Sequence, residues 1–118
     1  MTESDLLRAI VLELSNGDVR LFRSNAGVAW QGIVIRQNAY ELVLKNPRPV
    51  RLGVPGMADL TGWAAGRYLA IEGKYSTGLR TDQRAFLNAV RDGGGLAGVA
   101  RSVDDAKRII DGELTDLK

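Results

Sequence analysis

The sequence predicts a single mixed α/β domain spanning residues 1–118, a central sheet flanked by helices. Three segments place apolar residues at helical spacing, and several short runs rich in β-branched residues lie between them. No repeat or linker divides the 118 residues. The chain is 45% hydrophobic and 25% charged, as an ordinary globular domain is, and no apolar run approaches the roughly 18–20 residues of a membrane span. Met1-Thr2-Glu3-Ser4-Asp5 does not read as a secretion signal, so the expected location is cytoplasmic.

The first element, Ser4 to Ser15, reads as an amphipathic helix. Leu6, Leu7, Ile10, Val11 and Leu14 share one face, Thr2 or Ser4 is placed to cap it, and Asn16-Gly17 stops it. Val19 to Arg23 is a short strand. Ala26 to Asn38 mixes glycine with β-branched residues and suits either a loop or an extra strand, and Tyr40 to Leu44 is a further candidate strand. Asn46-Pro47-Arg48-Pro49 lacks two backbone donors and predicts a crossing loop.

Two strand-like runs follow, Met57 to Trp63 and Tyr68 to Lys74, separated by Ala64-Ala65-Gly66-Arg67. A hairpin closed by a two- or four-residue turn pairs Asp59 with Glu72, their Cβ atoms about 4.5–5.5 Å apart. Glu72 and Lys74 then share one strand face, while Leu69, Ile71 and Tyr75 take the other. Like charges placed opposite each other call for a cation between them. The alternative at this level is an exposed polar hairpin face with an ordinary Glu72–Lys74 ion pair.

Ser76 to Arg80 is a connection, and Thr81 is a candidate N-cap for a helix from Asp82 to Asp92 with Phe86, Leu87 and Val90 inward. Gly93-Gly94-Gly95 ends that helix. Leu96 to Ala100 is an apolar strand, and Ser102 caps a last helix with Val103, Ala106, Ile109 and Ile110 buried.

The absence of cysteine removes disulfides, thiolate metal sites and cysteine nucleophiles. The absence of histidine removes serine–histidine triads, histidine-bound zinc and histidine bases. Catalysis would rest on carboxylates, lysine, tyrosine, hydroxyls or an oxygen-bound metal such as Mg²⁺, Mn²⁺ or Ca²⁺. A phosphate-binding loop ending at Gly73-Lys74 would need glycine at Tyr68 and a hydroxyl residue at Tyr75, so that reading fails. Arg20, Arg23, Arg36, Lys45, Arg48 and Arg51 face a single acid, Glu41, between Val19 and Ala58. Such a region suits phosphate contacts or is simply a solvated basic face. The tail from Val103 is mostly acidic.

Taken in order, Glu3, Val54-Pro55-Gly56-Met57-Ala58-Asp59-Leu60, Ile71-Glu72-Gly73-Lys74 and Thr81-Asp82-Gln83 resemble the PD-(D/E)xK nuclease superfamily. They are most similar to its VRR-NUC group of small phage and bacterial proteins, and Gly93 to Ser102 resembles that group's last strand. The resemblance implies a restriction-endonuclease-like core and Mg²⁺- or Mn²⁺-dependent hydrolysis of DNA, in a bacterial or phage-infected cell. It implies metal binding by Asp59, Glu72 and the Gly73 carbonyl, with Glu3 joining directly or through water. Lys74 would orient water or stabilise the phosphate, and Gln83 would support the site.

Two positions depart from the pattern: Ala58 replaces the proline of the motif, and Gly73 replaces a larger residue. Ser24-Asn25 and Arg23 are candidate phosphate contacts, as are Arg80 and Arg84 beside Gln83, and solvated surface is an equal reading for those two arginines. Trp30 and Trp63 are expected in the core or an interface, and Tyr75 is expected to pack. Related small members resemble Holliday junction resolvases, implying a homodimer acting on branched DNA. The alternatives are a catalytically weak DNA-binding or assembly protein of the same fold, and an interaction module whose Asp59–Glu72 face holds a structural cation.

Overall fold

Helix α1 (Glu3–Leu14) opens the chain in a computed structural model that describes residues 2–24 and 27–117. Thr2 is its cap: the Thr2 hydroxyl accepts from the Asp5 N–H and the Asp5 carboxylate accepts from the Thr2 N–H. Those hydrogen bonds, led by the one from the Thr2 backbone, hold the Asp5 carboxyl below its ordinary value. Strand β1 (Val19–Arg23) follows, and then come β2 (Gly27–Gln37), β3 (Leu42–Leu52), β4 (Leu60–Ala64) and β5 (Arg67–Gly73). Helix α2 (Thr81–Asp92), strand β6 (Leu96–Ala100) and helix α3 (Val103–Ile110) complete the described elements.

The mixed sheet has the order β1-β4-β5-β6, antiparallel except between β5 and β6. A right-handed crossover through α2 is the expected way to join those two parallel strands. The sheet separates two apolar clusters. On one side Leu21, Leu60, Leu69 and Ile71 pack against Leu6, Leu7 and Ile10 of α1 and Ala106 and Ile109 of α3. On the other, Ala70, Ala97 and Val99 pack beneath Leu87 of α2, with Phe86 and Val90 at the margin. The result is three layers, with α1 and α3 on one face and α2 on the other.

The β4–β5 hairpin closes on Ala65-Gly66, both at positive φ (48° and 79°), a two-residue turn whose twist suits an antiparallel pair. Its register pairs Leu60 with Ile71 and Ala64 with Arg67, which is the expected one. The first strand is shorter than expected. Met57 to Asp59 lies outside β4, and a turn closed by the Met57 N–H on the Val54 carbonyl precedes it.

Three further expectations are corrected. The Pro47–Pro49 segment is strand, not loop, and the open reading of residues 26–38 resolves to strand β2 from Gly27, Ala26 lying outside the described residues. Both prolines are tolerated because β2 and β3 form a separate two-stranded sheet in which each strand is an edge. A bulge also absorbs Asn46 (φ 53°) and Pro47 opposite Gly32. Tyr40 lies in the turn before β3, where the Asn38 side chain accepts from the Tyr40 and Glu41 N–H groups. The cap of α2 is Arg80 and not Thr81, since the Gln83 side chain reaches back to accept from the Arg80 N–H at 3.0 Å. None of the described helices is long and apolar enough to cross a membrane.

Candidate metal centre

The site lies where β1, β4 and β5 end together. Extending the β1–β4 and β4–β5 registers by one step brings Ser24, Asp59 and Glu72 side by side. Ser24 donates its N–H to the Asp59 carbonyl at 2.8 Å, and its hydroxyl is 2.7 Å from that of Thr61. Asp59 turns its carboxylate toward β5, where Oδ2 accepts from the Gly73 N–H at 3.0 Å. Two opposed acids are thereby fixed on neighbouring backbone.

Glu72 alternates with Leu69 and Ile71 and so points to the α2 face of the sheet. There the Gln83 amide donates to Glu72 Oε1 at 3.2 Å. One side chain thus performs two tasks, since the same Gln83 closes the start of α2 through its oxygen. Glu72 is 2% exposed and Lys74 9%, which overturns the reading of an exposed polar hairpin face. Lys74 follows β5 and donates its backbone N–H to the Ala100 carbonyl, which prolongs the pairing with β6.

Glu72 Oε2 is buried without a hydrogen-bond partner. Burial, and then the shared contact with Asp59 and its charge, push the Glu72 carboxyl up to about 8, against the pull of the Lys74 charge. Glu72, out of water beside the half-buried Asp59, keeps its proton unless a cation takes its place. This orphaned oxygen beside a second carboxylate is what a hard divalent ion would fit. Asp59 and Glu72 would supply its protein oxygens together with the Gly73 carbonyl.

Gly73 has a different structural reason from the one its sequence position suggests. A Cβ there would lie 2.6 Å from Leu7 Cδ2 and 3.7 Å from Asp59 Oδ2, so glycine lets α1 settle on the end of β5. Ala58 is 1% exposed and fills the cluster beneath α2. Gly56 (φ 77°) brings the preceding loop against α2, where a Cβ would meet the Asp82 carbonyl oxygen at 2.2 Å.

The remaining expected residues divide. Glu3 stands one turn before Leu7 on α1, and among the described residues no group of three acids is close enough to hold a metal ion together. Arg23 reaches the Ser4 hydroxyl, and Asn25 lies outside the described residues. Arg80 pairs with Asp82, and Arg84 donates to the Leu117 carbonyl, which ties down the C-terminal segment. Trp30 and Trp63 are 62% and 47% exposed and neither is core, whereas Tyr75 packs on the α1–α3 side as expected. Thr61 escaped sequence reasoning. Its link to Ser24 depends on pairing β1 with β4 across the whole intervening β2–β3 segment.

A cleft of about 240 Å³ opens at the start of α2, lined by Arg51, Val54, Pro55, Gly56, Arg80 and Asp82 among others. A second, of about 450 Å³, lies between β6, α3 and the C-terminal segment, and its Val99 is the strand partner of Glu72. No protein-family model matches the sequence and no curated protein matches it, so the site is interpreted from its own geometry.

Proposed function

We propose that this chain is a metal-dependent, structure-selective DNA endonuclease with a restriction-endonuclease-like core, hydrolysing phosphodiester bonds in branched DNA such as four-way junctions. The observation that carries the reading is the buried Glu72 with its unpartnered oxygen beside the half-buried Asp59, the two held by Gln83 and the Gly73 N–H beside a buried lysine. A Mg²⁺ or Mn²⁺ ion in this donor set supplies Lewis-acid activation of water and charge stabilisation on the phosphoryl group. Lys74 offers a positive charge for an anionic phosphate, and exclusion of water around it strengthens that attraction. Gln83 fixes the Glu72 carboxylate so that its free oxygen stays available. Arg51, in the cleft at the start of α2 where Arg80 is already paired with Asp82, offers a positive charge to the DNA backbone. Two copies about a two-fold axis would meet the two equivalent strands of a junction.

A second reading is favoured by one observation. Among the described residues no third acid joins Asp59 and Glu72, a small ligand set that suits a catalytically weak DNA-binding or assembly protein of the same fold. Incubation of labelled four-way junction, flap and linear duplex with Mg²⁺ or Mn²⁺ separates the two. Cleavage that requires metal and drops at least a hundredfold in Asp59→Ala and in Lys74→Ala is expected. Junction binding without cutting in either metal supports the second reading.

A further inference from the structure

Helix α2 packs on β5 and β6, and on its side of the main sheet no described element packs extensively on β1. There the sheet carries three rings in the open: Phe22, Trp63 and Tyr68 are 53%, 47% and 46% exposed. Strand alternation gathers them on this face, since Leu21, Leu60 and Leu69 are buried on the α1 side. The registers order the face in rows across β1, β4 and β5: Arg20, Trp63 and Tyr68, then Phe22, Thr61 and Ala70. One step further come Ser24, Asp59 and Glu72, so the rings and the carboxylates share one continuous surface. Phe22 and Trp63 meet with centroids 5.7 Å apart and planes at 53°, tilted instead of stacked, which leaves ring faces for a third group.

We propose that this aromatic platform stacks the unpaired bases of a single DNA strand whose backbone runs on to Asp59 and Glu72. Rings carried on neighbouring strands of an open sheet suit that task, because every base has a flat face and successive bases reach successive rings. Charge agrees with an anionic strand. Arg20 stands directly across from Trp63, and its guanidinium donates to the Gly17 and Val19 carbonyls, which orient it and leave its positive charge in place. The acids in these three rows are Asp59 and Glu72 alone, where the cation would sit. Trp63 lies two same-face steps from Asp59, about 13 Å of strand, so stacked bases and a phosphate at the carboxylates belong to one short strand. A duplex hides the faces of its bases in the stack, so the platform takes bases from a flap or an opened junction. The inference rests on the proposed function for its DNA class, but stacking is measured without metal or cleavage.

A single-stranded oligonucleotide carrying 2-aminopurine tests it, since that base loses fluorescence when it stacks on a ring. With the full chain in EDTA, saturable quenching is expected, and a fully paired duplex of the same sequence should keep its signal unchanged. Trp63→Ala should weaken binding by about tenfold or more and remove most of the quenching, and Phe22→Ala should weaken it by about fivefold. Trp63→Phe, which keeps a ring, should retain both binding and quenching. Trp30→Ala, on the separate β2–β3 arm, should behave as wild type. Should Trp63→Ala lose the wild-type circular dichroism spectrum, Phe22→Ala carries the test. Wild type that fails to quench, or quenching untouched by both ring variants, would overturn the proposal. So would a dimer that Trp63→Ala dissolves, which would give the platform to a second copy. Metal-dependent junction cleavage without quenching defeats this inference alone, whereas quenching without cleavage upholds it and defeats the enzyme reading.

Discussion

Glu72 concentrates the chemistry of the molecule in one carboxyl. Its ordinary value is 4.5 and in the fold it rises to about 8, chiefly through burial and then through Asp59. A carboxyl raised by folding contributes stability that is fully present below pH 4.5 and lost as pH rises through about 8. Metal-free protein should therefore melt at progressively lower temperature across that window. Glu72→Gln, which keeps a hydrogen-bonding group without the charge, should flatten the slope and melt above wild type at pH 9 in calorimetric scans. Gly73 makes the second residue-scale prediction. Gly73→Val forces Leu7 out of its place and should lower stability by about 1–3 kcal/mol in urea titrations, with Leu7→Ala recovering part of the loss. The β4–β5 register, which brings Asp59 next to Glu72 one step past its end, was legible once a two- or four-residue turn was assumed. The burial of Glu72 was not, since it requires α2 to lie across the strand and deliver Gln83.

At the scale of elements, the β4–β5 hairpin is the piece the sequence specifies most fully. Its alternation, its Gly66 and its two faces all agree with the observed register. Ala65 is the weak point, held at φ 48° with a side chain that disfavours that conformation. Ala65→Asn should raise stability by about 0.5–1 kcal/mol by thermal denaturation, since asparagine enters the left-handed region more easily. The loop before β4 behaves oppositely. Gly56→Ala must push the Asp82 carbonyl away, and should cost about 2 kcal/mol or more while loosening the Gln83–Glu72 contact. The β2–β3 arm was the least legible element. Two prolines normally argue against a strand, and only a bulge at Asn46-Pro47 in a ribbon made of two edges admits them. The starts of α2 and β4 shifted for a related reason: Gln83 supplies the cap from inside the helix, and Asp59 bends out of the ladder to reach Gly73.

For the whole molecule, the three layers explain why the candidate site sits where it does. Helix α1 presses on the end of β5 through Leu7, α2 covers Glu72 from the other side, and β1 supplies Ser24 at the edge. A mixed sheet flanked by helices followed from the periodicities, whereas the division of the helices between its faces and the position of β1 beside β4 are long-range arrangements that no local pattern encodes. The proposed function requires that Asp59 and Glu72 bind a divalent cation and that the ion replace the Glu72 proton. Titration calorimetry with Mn²⁺ at pH 7.5, repeated in buffers of different ionisation enthalpy, measures both events together. Saturable binding with release of a fraction of a proton up to one, abolished in Asp59→Ala and without proton release in Glu72→Gln, is the predicted result. Wild-type protein that takes up no Mn²⁺, or binds it equally well after Asp59→Ala, would contradict it.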